Sequence, residues 1–193
     1  KLYGSMPAVQ VADAGYSSEE NYQYLHHHNI EAYVKPVDFD RKQKKNWQPN
    51  PFASDQLEYD AVKNHYICPA GKAMRYTGRY RKKEKGGFIK TYTLYKATGC
   101  RNCPLKEACH KQKGNRLLKV NHNGRKLKQQ AHERLKTEKG IFYRKQRPAD
   151  VEPVFGNIKS NKNFKRFLLK GIDKTEIEWG LLCLAHNLKK VAA

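Results

Sequence analysis

Residues 7–36, PAVQVADAGYSSEENYQYLHHHNIEAYVKP, run as apolar segment, turn, helical pattern and second apolar segment. Residues 7–12 read as a buried strand. Ser17 or Ser18 can cap a helix that carries Glu19 and Glu20 in its first turn, where acidic groups complement the helix dipole. Residues 30–35 read as the next strand, closed by Pro36. A strand, a crossover helix and a second strand make a βαβ unit, which commits this part of the chain to an α/β sheet. Asp13 stands at the carboxyl end of the first strand, the edge where open α/β sheets gather their catalytic groups. The plainer reading of Asp13 is an Asx turn closing the strand. His26, His27 and His28 end the predicted helix, where imidazoles can cap carbonyls, and they receive no metal role.

The formal net charge is +21. Such a field repels itself unless a polyanion is bound, so nucleic acid is the first partner to consider. The basic residues recur among aromatics, as in RYTGRYRKKEKGGFIKTYTLYK, and the chain has twelve tyrosines. A disordered basic tail would be poor in aromatics. No apolar stretch approaches the roughly 18 residues of a membrane span, and no signal peptide is visible, so no membrane role is expected. A cytoplasmic, nucleoid-associated location is the corresponding expectation.

Residues 36–58 are polar, with three prolines and a lysine-rich run, and read as a loop or mobile linker. Beyond them, KAMRYTGRYRKKE and FIKTYTLYKA flank Gly86–Gly87 and predict a β-hairpin. One face should carry Tyr and Leu and the other Lys and Arg. Such a ribbon could lie along a DNA backbone, and a surface hairpin of any basic protein would look the same.

Cys68, Cys100, Cys103 and Cys109 form a cluster: Cys100 and Cys103 make a C-x-x-C, and Cys68 lies in a CPAGK turn. Four thiolates with one close pair suit tetrahedral Zn²⁺, with His110 or His65 as a substitute ligand. Iron–sulfur ligation and simple burial are the competing readings. Cys183 differs, lying among Ile177, Leu181, Ala185 and Leu188 in a helical pattern that reads as core.

The segment YRKQRPADVEPVFGNIKSNKNFKRFLLKG begins at Tyr143. Pro148 suits a first helical turn, and Val151, Val154, Phe155 and Ile158 recur at helical spacing to give an apolar face. Glu152 and Lys159 lie seven residues apart and so share a neighbouring face. A carboxylate there can hold a hard cation while the ammonium grips a phosphate. A solvated surface helix with an ordinary Glu and Lys is the alternative.

Taken whole, the run resembles the C-terminal end of DDE transposases from bacterial insertion sequences. That end carries a Tyr, an Arg, the third catalytic acid and a Lys in series, here Tyr143, Arg147, Glu152 and Lys159. The likeness continues through EWGLLCLAHNLKK, where His186 and Asn187 need only structural hydrogen bonds. In the family the second catalytic Asp sits in a segment much like VADAGYSS, which points to Asp13. The resemblance implies a partial RNase H-like mixed sheet with flanking helices, interrupted by the basic, cysteine-containing hairpin. Residues 1–36 would be the second half of that core, 37–121 the insertion, and 122–193 the helical part carrying the third acid. It further implies Mg²⁺ or Mn²⁺ at Asp13 and Glu152, with Lys159, Arg147 and Tyr143 on the DNA. Double-stranded element ends and target DNA would be the substrates, cleaved and joined by a dimer in the active complex.

Only twelve residues precede Asp13, which leaves no strand for a first acid. The expectation is therefore a C-terminal transposase fragment, inactive by itself. Two rivals stand beside it. One is a zinc-bearing, non-catalytic nucleic-acid-binding protein. The other is a basic ribosome-associated protein that uses its charge on RNA.

Overall fold

The computed structural model describes residues 5–161 and 163–192, the side chains of 150–152 excepted. The chain divides into two units, Lys1–Lys136 and Thr137–Ala193.

In the first unit, β1 (Val9–Ala12) and β2 (Glu31–Val34) pair in parallel, with Val9 opposite Glu31 and Ala12 opposite Val34. They are joined through α1 (Glu19–His27), as the βαβ pattern predicts. Of the two candidate caps, Ser18 is the one used, its Oγ accepting from Asn21 N at 3.1 Å. Tyr22 and Leu25 of α1, with Ala32 and Val34 of β2, form a core with Ala131 of α4 (His122–Lys136). His28 ends α1 as a capping imidazole, its Nδ1–H donating to the Tyr24 carbonyl at 2.8 Å.

A five-stranded antiparallel sheet follows, in the order β3 (Tyr59–Asp60), β4 (His65–Ile67), β5 (Ala73–Lys83), β6 (Ile89–Lys96) and β7 (Leu117–Val120). A short helix, α3 (Lys106–Cys109), interrupts the passage from β6 to β7. Tyr66, Met74, Tyr95, Ala97, Leu118 and Val120 make the core of this sheet. Burying an apolar side chain of that size contributes roughly 1.5–3 kcal/mol. The β5–β6 hairpin turns where Gly86–Gly87 predict it, with Gly87 at φ 88°.

Two expectations for this unit are corrected. The hairpin does not separate tyrosines from cations: Tyr80 faces Tyr92 and Lys82 faces Lys90, so both pairs share one side, with Arg79 and Arg81 on the other. Strict alternation imposes this, and a bulge between Tyr76 and Gly78 shifts the register near its base. The 36–58 stretch is not a free linker. It contains α2 (Phe39–Gln43), whose Phe39 is fully buried and stacks on His132 at 5.3 Å.

In the second unit, α5 (Glu138–Gly156) starts ten residues ahead of Pro148, which lies in its interior with Pro153. Thr137 takes the capping role, its Oγ1 accepting from Gly140 N at 3.1 Å, and a capped start further upstream wins over proline's preference for the first turn. The helix passes into a π-helical turn, Asn157–Asn161, and Ile158 there is buried. Phe155 stacks on Trp179 of α6 (Ile172–Val191) with centroids 5.8 Å apart. Glu178 accepts backbone N–H groups of Leu168 and Leu169 at 3.0 Å, fixing the approach to α6. Cys183 is half-buried, and Ile177, Leu181 and Leu188 are exposed, where a core was expected. Two helices and a short connection offer too little surface to cover every apolar position. Among the described residues no helix is long and apolar enough to cross a membrane.

Candidate functional site

Asp13 is the first residue beyond β1, half-buried, and caps a 3-10 turn, Ala14–Tyr16. Its Oδ1 accepts from Gly15 N at 3.0 Å. The Asx turn is therefore present, and it orients the carboxylate at the carboxyl edge of the parallel pair. A Cβ on Gly15 would come within 3.2 Å of Asp13 Oδ1, so the missing side chain lets the carboxylate lie against the backbone.

Four and five residues on, Ser17 and Ser18 reach the wall of a cavity of about 330 Å³ whose other side carries Lys90, Lys119, Arg125 and Lys128. Glu19 is the acidic group in that wall, and it is committed to the amides of Asn121 and Asn123, the latter at 2.7 Å. Arg125 is held by Tyr66 Oη at 3.1 Å and Ser54 Oγ at 2.8 Å. Lys119 Nζ sits 5.7 Å from the ring centre of Tyr80, which stacks on Tyr92 at 5.2 Å with the planes 14° apart. Cations over stacked aromatics, with hydroxyls opposite, suit a phosphate backbone. Sequence reasoning missed this cavity because its cations come from β6, β7 and α4 and meet only through the sheet order.

Beneath the sheet, Tyr95 donates its hydroxyl proton to Asn64 Oδ1 at 2.9 Å. One proton serves one acceptor, so the His122 Nε2–H donates to the Tyr95 oxygen, also at 2.9 Å. Burial, with Arg125 and Arg79 nearby, lowers the His122 pKa, which keeps this ring neutral. Burial and the bond to Tyr59 push the Tyr95 phenol up. This aromatic cluster is a satisfied polar core, not a reactive group.

Cys68, Cys100, Cys103 and Cys109 line one cavity of about 20 Å³, together with His110 and Arg116. All four thiols are free. Gln112 N donates to His110 Nδ1 at 3.2 Å, so the ring carries its hydrogen on Nε2, an atom that is buried without a partner. Burial, Arg116 and Lys106 lower the His110 pKa. His65, the other expected substitute ligand, lies in β4 and not in this wall. Among the described residues no group of three or more His, Cys, Asp or Glu is gathered as a ready metal site. The buried Arg116 was invisible in the sequence, where RLLKV gives no hint that its first residue turns inward.

In the second unit, Tyr143 and Arg147 are half-buried and four residues apart on α5, hence on one face. Glu152 belongs to α5, and its side chain lies outside the described residues. Lys159 is exposed in the π-helical turn, so the seven-residue interval from Glu152 does not run along a single α-helix.

The chain matches the transposase DDE domain over residues 67–192, more than half its length. Glu152, Lys159, Arg147 and Tyr143 fall within the matched stretch, and Asp13 precedes it. No curated protein and no solved structure matches the chain.

Proposed function

We propose, because the chain belongs to the transposase DDE domain family, that it contributes Asp13 and Glu152 to a centre that cleaves DNA strands and joins them to target DNA. The observation that carries this reading is the family match across 67–192, which contains Glu152 and its basic neighbours. The Gly15 N–H donates to Asp13 Oδ1 at the carboxyl end of β1, and a carboxylate is the donor type that suits a hard cation. Bound Mg²⁺ or Mn²⁺ supplies Lewis acidity at the scissile phosphate. Asp13 and Glu152 would hold those ions on an RNase H-like core.

Lys159 and Arg147 would take non-bridging phosphate oxygens, Arg147 through its planar fork and Lys159 as a point charge. Tyr143, one helical turn before Arg147, would pack on the same strand of DNA. The cavity walled by Lys90, Lys119, Arg125 and Lys128 would carry the duplex backbone past the edge where Asp13 stands. A dimer would bring two element ends together in the active complex.

The test uses the transposase on DNA carrying its element end. Asp13→Ala and Glu152→Ala should each abolish end cleavage and leave DNA affinity within about twofold. Cleavage surviving either change would remove that acid from the centre. Loss of DNA affinity on replacing the cysteines, with no effect of either acid, would favour the non-catalytic nucleic-acid-binding reading.

A further inference from the structure

Three loops at one end of the five-stranded sheet place the four cysteines around one cavity. Cys68 follows β4, Cys100 and Cys103 follow β6, and Cys109 closes α3 before β7. The pairings Ile67–Ala73, Arg75–Lys96 and Lys96–Leu117 place these ends side by side. Gly71, at φ 74°, turns the backbone after Cys68 so that Lys72 N donates to Cys68 Sγ at 3.3 Å. Arg116 N donates to Cys100 Sγ at 3.5 Å, and Asn115 Oδ1 accepts from Cys100 N at 3.0 Å. Amide hydrogens aimed at sulfur are the outer partners that a ligating thiolate uses.

Charge supplies the independent observation. Arg116 is only 8 % exposed. Its Nη1 donates to Cys109 Sγ at 3.1 Å and its Nη2 to the Phe52 carbonyl at 2.6 Å. Among the described residues no carboxylate pairs with it. A buried guanidinium needs an anion, and sulfur is the group beside it that can become one. The cavity between the cysteines, about 20 Å³, holds one particle the size of a water molecule or an ion.

We infer that Cys68, Cys100, Cys103 and Cys109 bind one Zn²⁺ as a closed tetrathiolate site, with Arg116 as its buried countercharge. Deprotonation of the four thiols on binding gives a site of net charge minus two, and the four protons leave to solvent. The sulfurs line the cavity without forming a ready group of three. Metal uptake therefore draws the 68–72 turn and the 97–116 connection together, clamping the ends of β4, β6 and β7. The site is structural, and it stands whether or not the proposed DNA chemistry does.

The purified chain is analysed for metal by elemental mass spectrometry, then stripped and titrated with Co²⁺ alone. One zinc per chain is expected, and the cobalt form should show the charge-transfer and d–d bands of a tetrahedral thiolate. Cys103→Ser should lose those bands, and Cys183→Ser should keep them. Arg116→Met should keep the bands while weakening Co²⁺ binding about 10- to 100-fold. Iron in place of zinc, an octahedral cobalt spectrum in the unmutated chain, or bands that survive Cys103→Ser would overturn the site. Unchanged Co²⁺ affinity in Arg116→Met would overturn the countercharge.

Discussion

Asp38 takes Lys42 Nζ at 2.6 Å on one oxygen and His132 Nε2 at 3.1 Å on the other. Burial works to raise its pKa, and the bonds from Lys42 and His132 overcome that, holding the carboxyl at about 2. A carboxylate lowered from 3.8 stabilises the fold above pH 3.8, and the contribution drains away as the pH falls toward 2. Asp38→Asn should therefore cost about 1 kcal/mol at pH 7 in urea unfolding, a partly screened pair being worth no more. The cost should fall away as the pH drops through 2 and vanish below it. A difference that persists there would assign it to packing and not to charge. The sequence shows Asp13 readily, because an acid directly after a short apolar run has few other places to be. Arg116 stays hidden, since a buried cation is the rare outcome for its residue type.

Elements announced by a local chemical signal were legible. Ser18 with Glu19 and Glu20 marks the start of α1, and Gly86–Gly87 marks the hairpin turn. Where two local signals competed, the sequence pointed the wrong way. Pro148 offers a helix start, but Thr137 caps the longer α5, and its interior prolines are carried along. The faces of the hairpin are not legible in its composition, because a strand alternates by position alone. Thr137→Ala should lower the stability of α5 by about 1 kcal/mol. Hydrogen exchange at residues 139–142 reads it directly. Thr137→Ser should restore protection, and equal protection in all three proteins would mean that the cap does not set the helix start.

Across the molecule, a charge of +21 would make the proposed DNA affinity mostly electrostatic and its salt dependence steep. Charge alone could not tell which surface carries the DNA, because thirty-nine basic residues are spread along the chain. The fold gathers Lys90, Lys119, Arg125 and Lys128 around one cavity with Ser17 and Ser18 in its wall. Lys119→Gln and Lys128→Gln should each reduce the slope of log affinity against log salt by about 1. The same change at Lys63, away from the cavity, should leave the slope unaltered. Equal slopes in all three variants would mean that the cavity is not where the backbone lies. The family was visible from the series Tyr143, Arg147, Glu152 and Lys159, and the match over 67–192 bears it out.

Exchanging the carboxylate oxygens of Asp13 and Glu152 for sulfur shows whether these two residues hold the metal proposed for DNA cleavage. Asp13→Cys and Glu152→Cys transposases are assayed for end cleavage, first with Mg²⁺ and then with Mn²⁺. Hard Mg²⁺ tolerates a thiolate poorly and Mn²⁺ accepts it better. Each variant should bind the element end, fail in Mg²⁺ and recover cleavage in Mn²⁺. Full activity in Mg²⁺, or DNA binding with no cleavage in either metal, would contradict the assignment.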